Sequence, residues 1–119
     1  MPANIPAELK GHKYVSLTTF RKNGTAVHTP VWFAEDGGLI YVMTRGDSVK
    51  VKRIRNHPDV RVAPCTMRGK ITGPEFAGRA RILPEEEWGS ARSAIRAKYW
   101  ITRISALWSR KNIYLEITL

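Results

Sequence analysis

The stretch from Tyr41 to Pro58 holds the side chains of this sequence that are best suited to bind an anion. A strand pattern ends near Thr44, a helix begins at Asp47 or Ser48, and four cationic side chains precede the proline. The four cations are Lys50, Lys52, Arg53 and Arg55. Because a helix start carries unpaired N–H groups and the positive end of its dipole, the pattern predicts a phosphate-binding site. A capped surface helix with a solvated basic face has the same pattern, so the residues alone leave both interpretations open.

The overall charge also favours an anionic partner. The 119 residues include 20 Lys and Arg against 10 Asp and Glu, a formal net charge of +10. Such a balance favours nucleic acid, anionic lipid or a phosphorylated cofactor without choosing among them. The length predicts one domain, residues 1–119, which is small for enclosing a whole cofactor and would be helped by a site shared in a dimer.

Few residues outside that stretch are arranged for catalysis. His12, His28 and His57 have no metal-ligand spacing, and Cys65 lies in an apolar strand pattern where a buried, inert thiol is expected. There is no serine nucleophile motif, no phosphate-binding P-loop and no dinucleotide-binding glycine motif. If the protein is an enzyme, a bound cofactor must supply most of the chemistry. The single cysteine, together with the absence of a leader or membrane-spanning run, predicts a soluble, cytoplasmic protein with no metal site.

The elements that would position this stretch read as one barrel-like sheet with one or two helices. Residues 1–13 are expected to form a loose arm with at most one helical turn. The predicted strands are Tyr14–Phe20, Thr25–Phe33, Leu39–Thr44, Val60–Cys65, Phe76–Leu83 and Ile113–Leu119. Asn23-Gly24 predicts a hairpin between the first two strands. Pro30 cannot donate to a strand ladder, so it predicts an edge, a bulge or the open end of a strand.

Two helices are predicted. The first, Ser48–Asn56, places Val51 and Ile54 towards the sheet and Lys50 and Arg53 on an adjacent face. The second begins after Pro84 and carries two apolar stripes that are out of phase, so it either breaks near Trp100 or is apolar on two sides. One stripe is Trp88, Ala91, Ile95 and Tyr99, and the other is Trp100, Ile104 and Trp108.

Several motifs together resemble a known family. They are Thr18-Thr19-Phe20-Arg21-Lys22-Asn23-Gly24, Thr29-Pro30-Val31-Trp32-Phe33, Tyr41-x-x-Thr44-x-x-x-Ser48-x-Lys50-Val51-Lys52-Arg53, Asn56-x-Pro58-x-Val60 and Ala63-Pro64-Cys65. In order and spacing, from about residue 14 to 83, they resemble the pyridoxamine 5'-phosphate oxidase-like split β-barrel superfamily. Within it they are similar to the actinobacterial branch of F420-dependent flavin/deazaflavin oxidoreductases.

The resemblance implies a mainly β fold, a six-stranded antiparallel split barrel, and a homodimer with the cofactor in a groove between subunits. It places Thr29, Pro30, Val31 and Trp32 along the cofactor ring, largely through backbone groups, although Trp32 is also a plausible core residue. It places Thr44, Ser48, Lys50 and Arg53 at the phosphate end, with Lys52 as a weaker candidate. Charge alone suggests Arg68, Lys70 or Arg79 for the polyglutamate tail of F420. Substrate choice is expected in the segment that holds Trp100 and Trp108.

The leading functional hypothesis is therefore an F420-dependent oxidoreductase that transfers a hydride to or from a small conjugated organic substrate. An FMN-binding oxidoreductase or flavin carrier of the same fold is the alternative. A basic nucleic-acid-binding barrel is a third hypothesis, which the scattered cations and the lack of an aromatic-basic motif make weaker. A protein that binds the cofactor without turnover is the fourth.

Overall fold

β-Strands are the main elements of the fold, as the alternation of apolar and polar residues predicts. The computed structural model describes residues 5–99 and 112–119, and within them six strands and two α-helices are present. The strands are β1 Tyr14–Phe20, β2 Ala26–Asp36, β3 Leu39–Arg45, β4 Asp59–Cys65, β5 Phe76–Ile82 and β6 Asn112–Thr118. The helices are α1 Val49–Asn56 and α2 Trp88–Tyr99, and single 3-10 turns lie at Ala7–Leu9 and Glu85–Glu87. None of the helices described is long and apolar enough to cross a membrane.

The six strands close into an antiparallel barrel in the order β1-β2-β3-β6-β5-β4, and β4 pairs back with β1. The predicted fold class is confirmed. The hairpin between β1 and β2 is centred on Asn23, so that Phe20 pairs with Ala26. Gly24 has a φ of +87°, a conformation that costs glycine little, and the amide of Arg21 donates to the carbonyl of Thr25 at 2.9 Å.

Alternate residues of each strand fill the barrel. In every strand except β5, of which only Ala80 is buried, side chains at alternate positions are almost fully buried, as the period of two in a strand predicts. Examples are Val15 and Leu17, Ile40 and Val42, Val60 and Val62, and Leu115 and Ile117. Helix α1 covers one end of the barrel with Val51 and Ile54, which are both buried, as their spacing of three predicts.

Helix α2 packs on the outside of the barrel through part of the first predicted stripe. Ala91 and Ile95 are buried against a second apolar cluster that includes Tyr114. Trp88 meets Tyr114 edge to face at 5.3 Å, and its Nε1 donates to the carbonyl of Leu83 at 3.0 Å. This part of the stripe is core, as predicted. The predicted second stripe, with Trp100 and Trp108, lies outside the described residues.

The N-terminal segment contributes to the core. Ala7–Leu9 forms the single helical turn that the sequence allows, and Ile5 and Leu9 are 4% and 0% exposed. Both belong to the barrel cluster. Ile5 lies just before the turn and Leu9 ends it, and two separate apolar residues are a weak signal within a stretch that holds two prolines.

Candidate functional site

A groove opens where β2 and β3 stop pairing. Their hydrogen-bonded register runs from Asp36 and Leu39 to Phe33 and Val42 and goes no further, although both strands continue. Pro30 has no N–H to offer the ladder, and it lies in the unpaired part of β2. Of the three predicted alternatives, the structure agrees with an edge, because Pro30 lies inside β2 and pairs with Ser16 of β1 but has no partner on β3. The cleft between the two strand ends has a volume of about 380 Å3.

This cleft, called the β2/β3 groove below, is lined by residues from five elements. Its lining residues are Tyr14, Pro30, Val31, Trp32, Met43, Thr44, Arg45, Lys50 and Asn112. Five of them, Pro30, Val31, Trp32, Thr44 and Lys50, are residues that the sequence places at a cofactor. The barrel therefore brings these predicted ring-side and phosphate-side residues to one cleft.

One end of the β2/β3 groove is apolar and aromatic. Tyr14 pairs with Trp32 across β1 and β2, and their ring centroids are 6.2 Å apart with the planes tilted by 55°. Met43 lies on the other wall, where its sulfur accepts a hydrogen bond of 3.4 Å from the side-chain amide of Asn112. Flat, polarizable side chains of this kind suit an extended ring system.

The other end of the groove is cationic and partly desolvated. Burial, together with the nearby positive charge of Arg53, lowers the pKa of Lys50. No carboxylate among the described residues forms a salt bridge with Lys50, whereas Arg45 forms a two-fold contact with Asp47 at 3.1 and 3.2 Å. A half-buried ammonium without an anionic partner is electrostatically costly, and a bound phosphate would remove that cost.

The start of α1 adds an unsatisfied hydroxyl. Ser48 is the N-cap residue with extended backbone, but its side chain makes no capping hydrogen bond. Its Oγ is buried and has no hydrogen-bond partner. A buried hydroxyl without a hydrogen-bond partner costs free energy, and a bound ligand that supplies a partner would remove that cost. Ser48 is not among the groove-lining residues, but it precedes Lys50 by only two positions.

The remaining predicted site residues lie elsewhere. Thr29 is partly buried and pairs with Leu17 across β1 and β2, outside the lining of the β2/β3 groove. Lys52 and Arg53 line a different groove, on another side of α1. Arg79 lies 3.9 Å from a carboxylate oxygen of Asp59. None of the three candidates for a polyglutamate tail, Arg68, Lys70 and Arg79, is among the described residues that line the β2/β3 groove.

The structure adds four lining residues that sequence reasoning missed, namely Tyr14, Met43, Arg45 and Asn112. Tyr14 could have been predicted from the sequence, because a hairpin centred on Asn23 places it opposite Trp32. Met43 and Arg45 flank Thr44 in the same strand end. Asn112 had no local signal, because it pairs with Arg45 only through the contact of β3 with β6.

Comparisons with known proteins agree with this fold. The family model of pyridoxamine 5'-phosphate oxidase matches residues 1–115. No curated protein sequence is significantly similar to the chain.

Three solved structures illustrate the range of proteins with this fold. A protein assigned as a pyridoxamine 5'-phosphate oxidase from Listeria innocua is 20% identical, with 94% of this chain and 87% of that one covered and a TM-score of 0.68. An F420 reductase is 19% identical over 99% of this chain and 94% of its own, with a TM-score of 0.68. The heme storage protein HutZ from Vibrio cholerae has a TM-score of 0.73 at 9% identity, with 92% and 82% covered. At these identities the likeness concerns the fold.

Proposed function

Because the chain belongs to the pyridoxamine 5'-phosphate oxidase family, we propose that it is an F420-dependent oxidoreductase. It binds the deazaflavin in the β2/β3 groove and transfers a hydride between this cofactor and a small conjugated organic substrate. The sequence motifs of the F420-dependent branch support the choice of F420 over FMN, and an F420 reductase is among the proteins with this fold.

The observation that carries the proposal is the contrast between the two ends of the groove. The Tyr14 and Trp32 rings form an apolar wall at one end. Lys50, whose pKa is lowered by burial, lies at the other end together with Thr44 and Arg45. A flat ring system that carries a phosphate on a side chain is complementary to this groove, with the ring against the apolar end and the phosphate at the cationic end. The residues therefore fit the cofactor class.

The chain's own residues have binding and orienting roles in this proposal. Pro30 to Trp32 lie along the ring, and the backbone of this segment has groups that β3 leaves unpaired. Lys50 and Thr44 hold the phosphate, with Ser48 at the helix start beside them. When bound, a reduced deazaflavin supplies a hydride from its C5, so correct placement and exclusion of water are the contributions required of the protein. None of the described groove residues is assigned a proton-transfer role.

A second copy of the chain would close the groove. Met67 and Ile71 are 67% and 44% exposed, and they flank a turn that contains Gly69. A Cβ on Gly69 would lie 3.7 Å from the Pro30 ring, so this turn borders the groove. Exposed apolar side chains beside an open cleft favour a protein partner there. The proposal therefore includes a homodimer in which the two copies share the cofactor site.

The test is a pair of titrations of the purified protein, one with F420 and one with FMN, followed by tryptophan fluorescence and by calorimetry. F420 is expected to bind more tightly and to quench fluorescence, with much of the quenching lost in Trp32→Phe. Tighter binding of FMN than of F420 would show that the cofactor of this groove is a flavin. Absence of saturable binding of either cofactor would overturn the proposal.

Turnover is tested separately with reduced F420 and a conjugated enone or quinone. Loss of reduced cofactor that depends on both protein and substrate is expected. Tight binding of F420 without turnover of a panel of such substrates would leave a cofactor-binding protein and contradict the proposed reaction.

A further inference from the structure

A second, larger groove lies between the β1–β2 turn and α1. Its volume is about 650 Å3. Among the described residues, four cationic side chains line it, two from the turn and two from the helix. They are Arg21, Lys22, Lys52 and Arg53. We call this cleft the basic groove.

The two walls of the basic groove are held in place by backbone hydrogen bonds. In the turn, the amide of Gly24 donates to the carbonyl of Arg21 at 2.8 Å, and the amide of Thr25 donates to the side-chain oxygen of Asn23 at 3.0 Å. At the end of α1, the amide of His57 donates to the carbonyl of Arg53 at 2.8 Å. The cations therefore project from a tight turn and a closed helix end rather than from a loose loop.

The charge distribution in this groove is one-sided. Within the described ranges, 5–99 and 112–119, no acidic residue lines it. Among the described residues, none of its four cationic side chains forms a hydrogen bond or an ion pair, in contrast to the arginines of the strands. Arg45 pairs with Asp47, Arg61 with Glu75, Arg79 with Asp59, and Arg81 with Glu87 and Glu116. Like charges held together without counter-charges raise the local potential and concentrate anions.

The groove also has an aromatic wall. The Phe20 ring and the His57 imidazole have centroids 5.5 Å apart, with planes tilted by 42°. Both side chains belong to the lining, together with the side-chain amide of Asn56. An aromatic ring offers a stacking surface for a planar group, and an amide offers both a donor and an acceptor to the edge of such a group.

We propose that the basic groove is a binding site for a small ligand with two or more phosphates on a planar base, that is, a nucleoside di- or triphosphate. The phosphates contact Lys22 and Lys52, with Arg21 and Arg53 beside them, and the base lies against Phe20 and His57. The volume is in the usual range for small-molecule sites. Two cations from each wall match the charge of two or more phosphates.

The site is distinct from the β2/β3 groove. Lys50 lines one cleft and Lys52 the other, because residues two positions apart on a helix point in different directions. The inference therefore does not depend on the proposed cofactor. A nucleic acid needs a basic track along its backbone, but the strand arginines that would extend the track are already paired with carboxylates.

The experiment is calorimetric titration of the full chain with ATP, and separately with pyrophosphate and with adenosine. The wild type is compared with Lys22→Gln/Lys52→Gln and with Arg55→Gln/Lys70→Gln, a control that removes the same charge from exposed cations outside the basic groove. We expect the first double variant to weaken ATP binding at least tenfold and the control at most about twofold. Lys50→Gln should leave ATP affinity unchanged, and saturating F420 or FMN should not displace ATP.

Four results would overturn the inference. The first is the absence of saturable ATP binding by the wild type. The second is equal weakening by both double variants, which would reduce the effect to net charge. The third is loss of ATP binding in Lys50→Gln but not in Lys22→Gln/Lys52→Gln, which would place the nucleotide in the β2/β3 groove. Displacement of ATP by a single-stranded oligonucleotide that binds more tightly would assign the surface to nucleic acid instead.

Discussion

Replacement of Lys50 by glutamine tests the phosphate end of the β2/β3 groove most directly. The substitution keeps most of the side-chain volume and removes the charge. Lys50 is half-buried, and its pKa is lowered first by that burial and then by Arg53. A hydrogen bond between charged groups in such surroundings contributes about 2 kcal/mol, within a typical range of about 1.5–3 kcal/mol. Since about 1.4 kcal/mol is tenfold in affinity, cofactor binding should weaken about 30-fold.

The assay is calorimetric titration of F420 into wild-type protein, Lys50→Gln and Arg55→Gln. Arg55 is on the same helix, is exposed and lines neither groove. Its loss changes the net charge equally, but salt screens an exposed charge at a distance, so at most about a twofold effect is expected. Unfolding of each variant in denaturant checks that the barrel is intact.

The pH dependence of the same titration gives a second readout. Because the pKa of Lys50 is lowered in the free protein, the ammonium loses its proton below the usual range for lysine as pH rises. A phosphate favours the protonated form, so binding is accompanied by proton uptake above that lowered pKa. Affinity should therefore fall as pH rises in the wild type, and this part of the decline should be missing in Lys50→Gln. Equal affinities of wild type and Lys50→Gln would refute the placement of the phosphate.

The remaining predictions concern the subunit contact, packing and charge. Met67→Lys/Ile71→Lys should shift the protein from dimer to monomer in light scattering and weaken F420 binding, and an unchanged dimer would place the contact elsewhere. Gly78→Ala should destabilise the barrel by about 1–3 kcal/mol in denaturant unfolding, because a Cβ there would lie 2.8 Å from the carbonyl oxygen of Thr118. The matched change Gly89→Ala, in α2 with open space around it, should be neutral or stabilising. Burial lowers the pKa of Lys98 to about 8 against the opposing charge of Glu35. The unfolded chain then binds more protons above pH 8, so the stability of the wild type should rise relative to Lys98→Met between about pH 8 and 10.

The parting of β2 and β3 explains how one fold produces a groove without a dedicated loop. Val31 and Thr44 lie beyond the last paired residues, Phe33 and Val42, and a fully paired ladder would bring them together. Pro30 has no N–H to donate from this part of β2, and here the two strands no longer pair. The barrel remains closed because β2 still pairs with β1 and β3 still pairs with β6.

The sequence determined the parts of this protein that depend on short spacing. Alternation located the six strands to within one residue, except that β2 runs three residues beyond the predicted Phe33. Asn23-Gly24 predicted the hairpin, and Pro30 lies at an unpaired edge, one of the three alternatives that it predicted. Val51 and Ile54 oriented α1 correctly, since residues three apart share a helix face. The family resemblance, which rests on motifs in the first two thirds of the chain, predicted a six-stranded barrel. The match of the family model to residues 1–115 agrees with that resemblance.

Only the tertiary structure determined which of the two grooves each cationic side chain lines. Lys50 and Arg53 are three apart and share a helix side in sequence terms, yet Lys50 lines the β2/β3 groove and Arg53 the basic groove. The division depends on what stands opposite each residue, namely the β2 and β3 ends in one case and the Arg21–Lys22 turn in the other. Asn112 reaches the first groove only because β6 pairs with β3 across 60 or more residues of chain. Local patterns carry no information on such distant contacts, which arise only when the barrel closes.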